Sequence, residues 1–217
     1  MQAPLIDWAD PPRELSSFVA QFMTAGAIGF RYFALRGSWP STDRGFFDES
    51  ARRAAIIGLI GVLIRVALLA MQLPSLAARG HVAVGTFVTS DVSTMLQIAF
   101  LALALVGFLL AIVGDTVGWG VAAFGIVAAA LRAALLGKWV SLVNPVHVLA
   151  GGLWIGTLFV LVLAGLTSLL RHESMRDRRG ALAARMVNGF SPLALSMGGV
   201  VVLFGLITAW RHLHVLS

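Results

Sequence analysis

Residues 93–113 read STMLQIAFLALALVGFLLAIV. No charged side chain falls in these 21 residues, and an α-helix needs roughly 20 apolar residues to cross the hydrocarbon of a bilayer. Further runs of similar length lie at 15–35, 53–73, 117–136, 145–170 and 191–211. The run at 15–35 is the least apolar, because it carries Gln21 and Arg31. Only 12% of the chain is charged, about half the share expected of a soluble domain, and the mean hydropathy is +0.90. The expected fold is all-α: a polytopic transmembrane helix bundle of about six spans. One integral membrane domain covers residues 1–217, with 1–14 as a short extramembrane N-terminal tail. That tail has no basic segment and does not read as a cleaved signal peptide.

Local chemistry suggests where spans begin and end. Asn144-Pro145 and Ser191-Pro192 each offer a capping side chain followed by proline, the pattern of a helix start. Pro74 reads as the end of the second span, Asp91 as a cap before the third, and Asp115 lies in a tight turn between the third and fourth. Trp119 and Trp139 fit interfacial anchors. Gly152 and Gly156 form a G-x-x-x-G pair, and Gly58, Gly61, Gly198, Gly199 and Gly205 add further small patches for close helix contact.

The net charge is +6, but the basic residues concentrate in short loops, and no nucleic-acid-binding face is expected from them. Arg36, Arg44, Arg52 and Arg53, with Arg171, Arg176, Arg178, Arg179 and Arg185, fall on one side of the predicted topology. Arg13, Arg79, Lys138 and Arg211 fall on the other. This nine-to-four bias places the first side in the cytoplasm and both termini outside, in the periplasm if the membrane is a bacterial inner membrane. The absence of cysteine excludes disulfides, thiolate metal sites and iron–sulfur clusters.

On this topology His81, His147, His212 and His214 share the outer rim, with Met71 and Met95 near it, whereas His172 faces the cytoplasm. Imidazole and thioether are ligands suited to copper, the softer sulfur favouring Cu(I). Interfacial histidines with no metal would give the same distribution. Trp154 lies seven residues after His147, on the same helix face, and either shapes a pocket beneath it or packs in the core. No histidine falls in the middle of a span, which argues against a haem held between helices. No nucleotide-binding loop, nucleophile motif or catalytic carboxylate pair is recognisable, and no enzymatic activity is expected. Arg65 lies inside the second span and Arg132 near the outer end of the fourth. A guanidinium in lipid is costly and should face a partner or a wet cavity. If the two share a cavity, it favours an anion or a carboxylate over a bare cation.

The stretch NPVHVLAGGLWIG, residues 144–156, resembles the histidine–small residue–tryptophan–glycine helix of the copper resistance protein D (CopD-like) membrane family. Residues 186–210, MVNGFSPLALSMGGVVVLFGLITAW, are similar to that family's final segment, with Phe190, Ser191, Leu193, Ala194, Gly205 and Trp210 in place. The resemblance covers about a third of the chain. It implies an inner-membrane protein of copper uptake or tolerance, working beside a periplasmic copper-binding protein, with His147 as the candidate ligand carried over. Members of the family often have glycine–histidine–alanine where this chain has Gly137-Lys138-Trp139. That difference motivates a second expectation, an accessory subunit of a larger respiratory or photosynthetic membrane complex that keeps the scaffold without the metal.

Overall fold

In this computed structural model, residues 10–37, 39–138 and 142–215 are described, with side chains at 10, 174, 208 and 211–215 outside that description. The described chain is helical throughout, without strands. Helix α1 runs over Asp10–Gly29 and continues as a π-helical turn over Phe30–Ala34. It is followed by α2 (Arg44–Arg79), the short α3 (Val84–Ser90), α4 (Val92–Ile112) and α5 (Thr116–Leu135). Helix α6 spans Val143–Arg171 and includes π-helical stretches at Gly152–Gly156 and Leu161–Leu166. Helix α7 (Arg179–Val215) closes the bundle.

Among the described residues, five stretches are long and apolar enough to cross a membrane: Ser41–Arg79, α4, α5, α6 and Met175–Ile207. Large apolar side chains such as Leu103, Val106, Phe124, Leu158, Phe159 and Leu203 stand exposed on their outer faces. Such a surface belongs in lipid, and the chain is a multi-pass membrane protein. The sixth expected span, 15–35, falls outside these five, and its position explains why. Helix α1 packs against α2, α6 and α7 and also touches α5, and from Ala20 onward it is largely enclosed by the other helices, while Leu15, Phe18 and Val19 stand exposed. Ala20, Thr24, Ala25, Ala27 and Phe30 are fully buried. A helix surrounded by protein need not be apolar enough for lipid. With its π turn it is about 37 Å long at 1.5 Å per residue, enough to traverse the bundle.

Close backbone contacts set the arrangement. Helices α4 and α5 form an antiparallel hairpin in which Gly107 lies against Ala122 and Gly118 against Ala111. The turn between them needs Gly114 at φ 93°, a left-handed conformation that costs a side-chain-bearing residue about 1 kcal/mol or more. Gly58 of α2 seats the Phe108 ring of α4, and Gly61 lies against Ala20 and Thr24 of α1. Helices α1 and α6 run parallel, with Gly26 on Gly156. One rim therefore gathers the starts of α1, α4 and α6 and the ends of α2, α5 and α7. The opposite rim carries the segments 35–43, 113–115 and 172–178.

Several expected boundaries move. Helix α2 runs through Pro74 to Arg79, and α7 runs through Ser191-Pro192. Proline inside a membrane helix frees the carbonyl four residues before it, here those of Ala70 and Asn188, and a helix packed in a bundle tolerates that. The hydroxyls beside the two prolines bond to other carbonyls, Ser75 to Gln72, Ser191 to Val187 and Ser196 to Pro192. Helix α6 begins at Val143, so Asn144 lies inside its first turn and caps nothing. Helix α1 covers residues 10–14 of the expected tail, and residues 1–9 lie outside the described residues. Trp119 is buried edge-on to Phe108, with ring centroids 6.0 Å apart, instead of anchoring at an interface, because Gly118 draws α5 onto α4 there. Trp139 lies outside the described residues.

Asp91 caps α4 by accepting the Thr94 N–H at 2.9 Å and the Thr94 hydroxyl at 2.5 Å. The hydroxyl bond, then the backbone bonds, hold its carboxyl below the ordinary aspartate value. A depressed carboxyl stabilises the fold fully above the ordinary range and loses that contribution as pH falls through the lowered value. Asp91→Ala is expected to cost about 1 kcal/mol at neutral pH. Thermal unfolding of wild type and variant in neutral detergent checks this, and the difference between them should shrink in acid.

Candidate functional site

The two segments that carry the family resemblance pack on each other. His147 and Trp154 are seven residues apart on α6, and Gly205 and Gly198 are seven apart on the antiparallel α7. A Cβ placed on Gly205 would lie 3.6 Å from His147 Cε1, and one on Gly198 would lie 3.8 Å from the Trp154 ring. Both rings therefore lie over glycine backbone, in register. Trp154 also borders a groove of about 520 Å³ with Leu158, Phe190, Ala194 and Leu195.

His147 is half-buried, and its Nδ1 is fully enclosed without a hydrogen-bond partner. An imidazole nitrogen left this way costs about 1–3 kcal/mol unless a proton acceptor, donor or ligand satisfies it. Buried nitrogen and glycine-seated ring together make a position that could accept a ligand.

The remaining metal-ligand candidates are placed less closely. His81 is exposed in the turn after α2, at φ 53°. Met71 is 74% exposed near the end of α2, and Met95 is exposed on the first turn of α4. Helix α4 packs mainly on α2 and α5, away from the α6–α7 pair that holds His147. Among the described residues, no three His, Asp or Glu side chains gather in a metal-binding group. The side chains of His212 and His214 lie outside the described residues. On the opposite rim His172 is bound to protein: Nδ1 lies 2.9 Å from the Ser168 carbonyl and Nε2 3.2 Å from Glu49.

The two arginines expected inside the spans do share a cavity. Arg65 and Arg132 line a space of about 260 Å³ at the rim of His147, together with Ser17, Gln21, Asn144 and Val148. Arg65 donates to Gln21 Oε1. Arg132 donates to the Ala129 carbonyl at 3.0 Å and to Ser93 at 3.4 Å. The two guanidinium groups are close enough to repel each other. Among the described residues neither has a carboxylate within ion-pair distance.

Helix α6 thus presents two faces at this rim. His147 and Trp154 turn to α7, while Asn144 and Val148 turn to the arginine cavity. Sequence reading located both arginines by the energetic cost of charge in a span. It missed Gln21, which was visible only as a weakness in the hydropathy of the first run. Comparison with protein-family models, curated proteins and solved structures finds no match for the chain.

Proposed function

We propose that this chain is a multi-pass protein of the bacterial inner membrane that handles copper as cargo at the rim carrying His147. One observation supports the reading most: the two stretches resembling the copper-resistance family pack as one unit, with an enclosed, unpartnered imidazole nitrogen at its rim end. Imidazole suits either oxidation state of copper, and His81, Met71, Met95, His212 and His214 lie at or near helix ends on the same rim. The nine-to-four distribution of basic residues supports a periplasmic position for that rim, where a periplasmic copper-binding protein would meet it.

Titration of the purified full-length chain with Cu(I) and Cu(II) against competing chelators tests the proposal. Stoichiometric binding is expected, weakened about tenfold or more in His147→Ala, the scale on which loss of one group around a metal acts. Equal affinity in the variant, or no tight binding at all, overturns it. The better account is then an accessory subunit, a scaffold whose small-residue faces serve assembly.

A further inference from the structure

We propose that the cavity between Arg65 and Arg132 is a binding site for a phosphate-type oxyanion. The proposal is independent of copper, since the site lies on the other face of α6 and uses other residues.

The charged side chains lining the cavity are both cationic. Arginine can only donate, so the oxygen of the Gln21 amide must be the atom that faces Arg65. The amide nitrogen is thereby turned away from Arg65, and it is buried without a partner. Gln21 itself is only 6% exposed. Arg65 keeps further N–H groups beyond this bond, and Arg132 keeps one terminal nitrogen beyond its bonds to Ala129 and Ser93. The lining therefore presents two cations with N–H groups to spare, the Asp91 carboxylate acting on Arg132 from beyond ion-pair distance, while the unpartnered Gln21 amide nitrogen is enclosed in protein.

Such a lining is self-destabilising without an acceptor. Two like charges in one cavity repel, and the N–H groups that Arg65 and Arg132 keep beyond their bonds to Gln21, Ala129 and Ser93 lack a protein acceptor. An oxyanion removes both penalties together, because it is negatively charged and offers only acceptors. Arginine matches the oxygens of a phosphate in a planar, bidentate fork. A volume of about 260 Å³ admits a phosphate group with water but not a large solute. A bare cation is disfavoured there by the same charges.

The mouth supplies the route of entry. Ser17 and Asn144 line the cavity and are exposed at the rim where helices α1 and α6 begin. This is the level of lipid headgroups, so the phosphate can come from an anionic lipid or from solution. The shared chemistry is the same, and the source is an experimental question.

Two measurements on the full chain separate the sources. In neutral maltoside detergent, inorganic phosphate is titrated calorimetrically. In nanodiscs of phosphatidylcholine doped with phosphatidylglycerol, native mass spectrometry reads which lipid stays bound. Phosphate binding in detergent assigns a soluble ligand. Retention of phosphatidylglycerol with no phosphate binding assigns the headgroup. In either case Arg132→Gln is expected to weaken binding about tenfold, the scale of one charge-assisted hydrogen bond, and Arg65→Gln at least as much. Arg79→Gln, a basic change at the end of α2 outside the cavity, should leave it intact. Circular dichroism of each variant confirms folding, and Arg132→Gln, nearer the rim, covers the case in which Arg65→Gln does not fold. Absence of both phosphate binding and lipid retention overturns the proposal. So does equal weakening by Arg79→Gln, which would mark a general surface charge effect.

Discussion

Gly26→Val is expected to pull α1 away from α6 and to cost about 3 kcal/mol of stability. A Cβ on Gly26 would overlap the carbonyl group of Gly156, and a Cβ on Gly156 would overlap the Phe22 backbone. The obstruction on both sides is main chain, which cannot rotate aside as a flexible side chain can. Overpacking a well-filled interior costs typically about 1–3 kcal/mol, and a β-branched residue against backbone belongs at the upper end. Small residues also make the contact itself, since association of helices in lipid relies on close backbone packing and not on hydrophobic exclusion. The damage should reach the arginine cavity, because Gly152, one turn earlier, lies against the Gln21 main chain. Thermal unfolding in detergent measures the loss, expected near 3 kcal/mol. Gly199→Ala is the matched comparison: nothing lies within 4 Å of its Cβ position, so it should be neutral or slightly stabilising through helix propensity. Equal melting of Gly26→Val and wild type would mean that the two helices are not in contact there.

Most of the fold was legible because lipid imposes a simple requirement. Where a helix faces hydrocarbon, as α4 does with Leu103, Val106 and Leu109, its apolar length is sufficient evidence for it. That logic weakens for α1, which faces protein. Gln21 and Arg31 lowered its hydropathy, yet both have interior roles: Gln21 holds Arg65, and the Arg31 guanidinium lies 4.9 Å from the centre of the Phe47 ring. The boundaries at Pro74 and Ser191-Pro192 were misread because proline ends helices in water more reliably than in a membrane bundle. Helix periodicity correctly paired His147 with Trp154, and their contacts with Gly205 and Gly198 require knowing that α7 returns antiparallel in that register. The Gln21–Arg65 bond joins residues 44 apart in sequence, a separation that no local pattern reports.

Arg178→Ala is expected to destabilise the opposite rim by about 3 kcal/mol, and more than Asp43→Ala, although both remove the same ion pair. Asp43 is fully buried at the end of the segment joining α1 to α2. Arg178, in the segment joining α6 to α7, reaches its two carboxylate oxygens at 2.7 and 2.9 Å, while its own side chain remains 50% exposed. The geometry is bidentate, and it fastens together two loops that are 135 residues apart. Among the described residues, removing the arginine leaves a carboxylate enclosed in protein with only the Thr42 hydroxyl, 3.4 Å away, as a side-chain donor. Removing the aspartate leaves a half-exposed arginine that can turn into water, so only the bond is lost. The asymmetry follows from desolvation, which is complete for one partner and partial for the other. Arg178→Lys should recover part of the loss, since a lysine restores the charge but not the fork. In the double variant Asp43→Ala/Arg178→Ala, stability should return to about that of Asp43→Ala alone, because no buried charge remains. Unfolding midpoints of wild type and the four variants in one detergent decide the matter. Equal losses from Arg178→Ala and Asp43→Ala would mean that the carboxylate is hydrated after all.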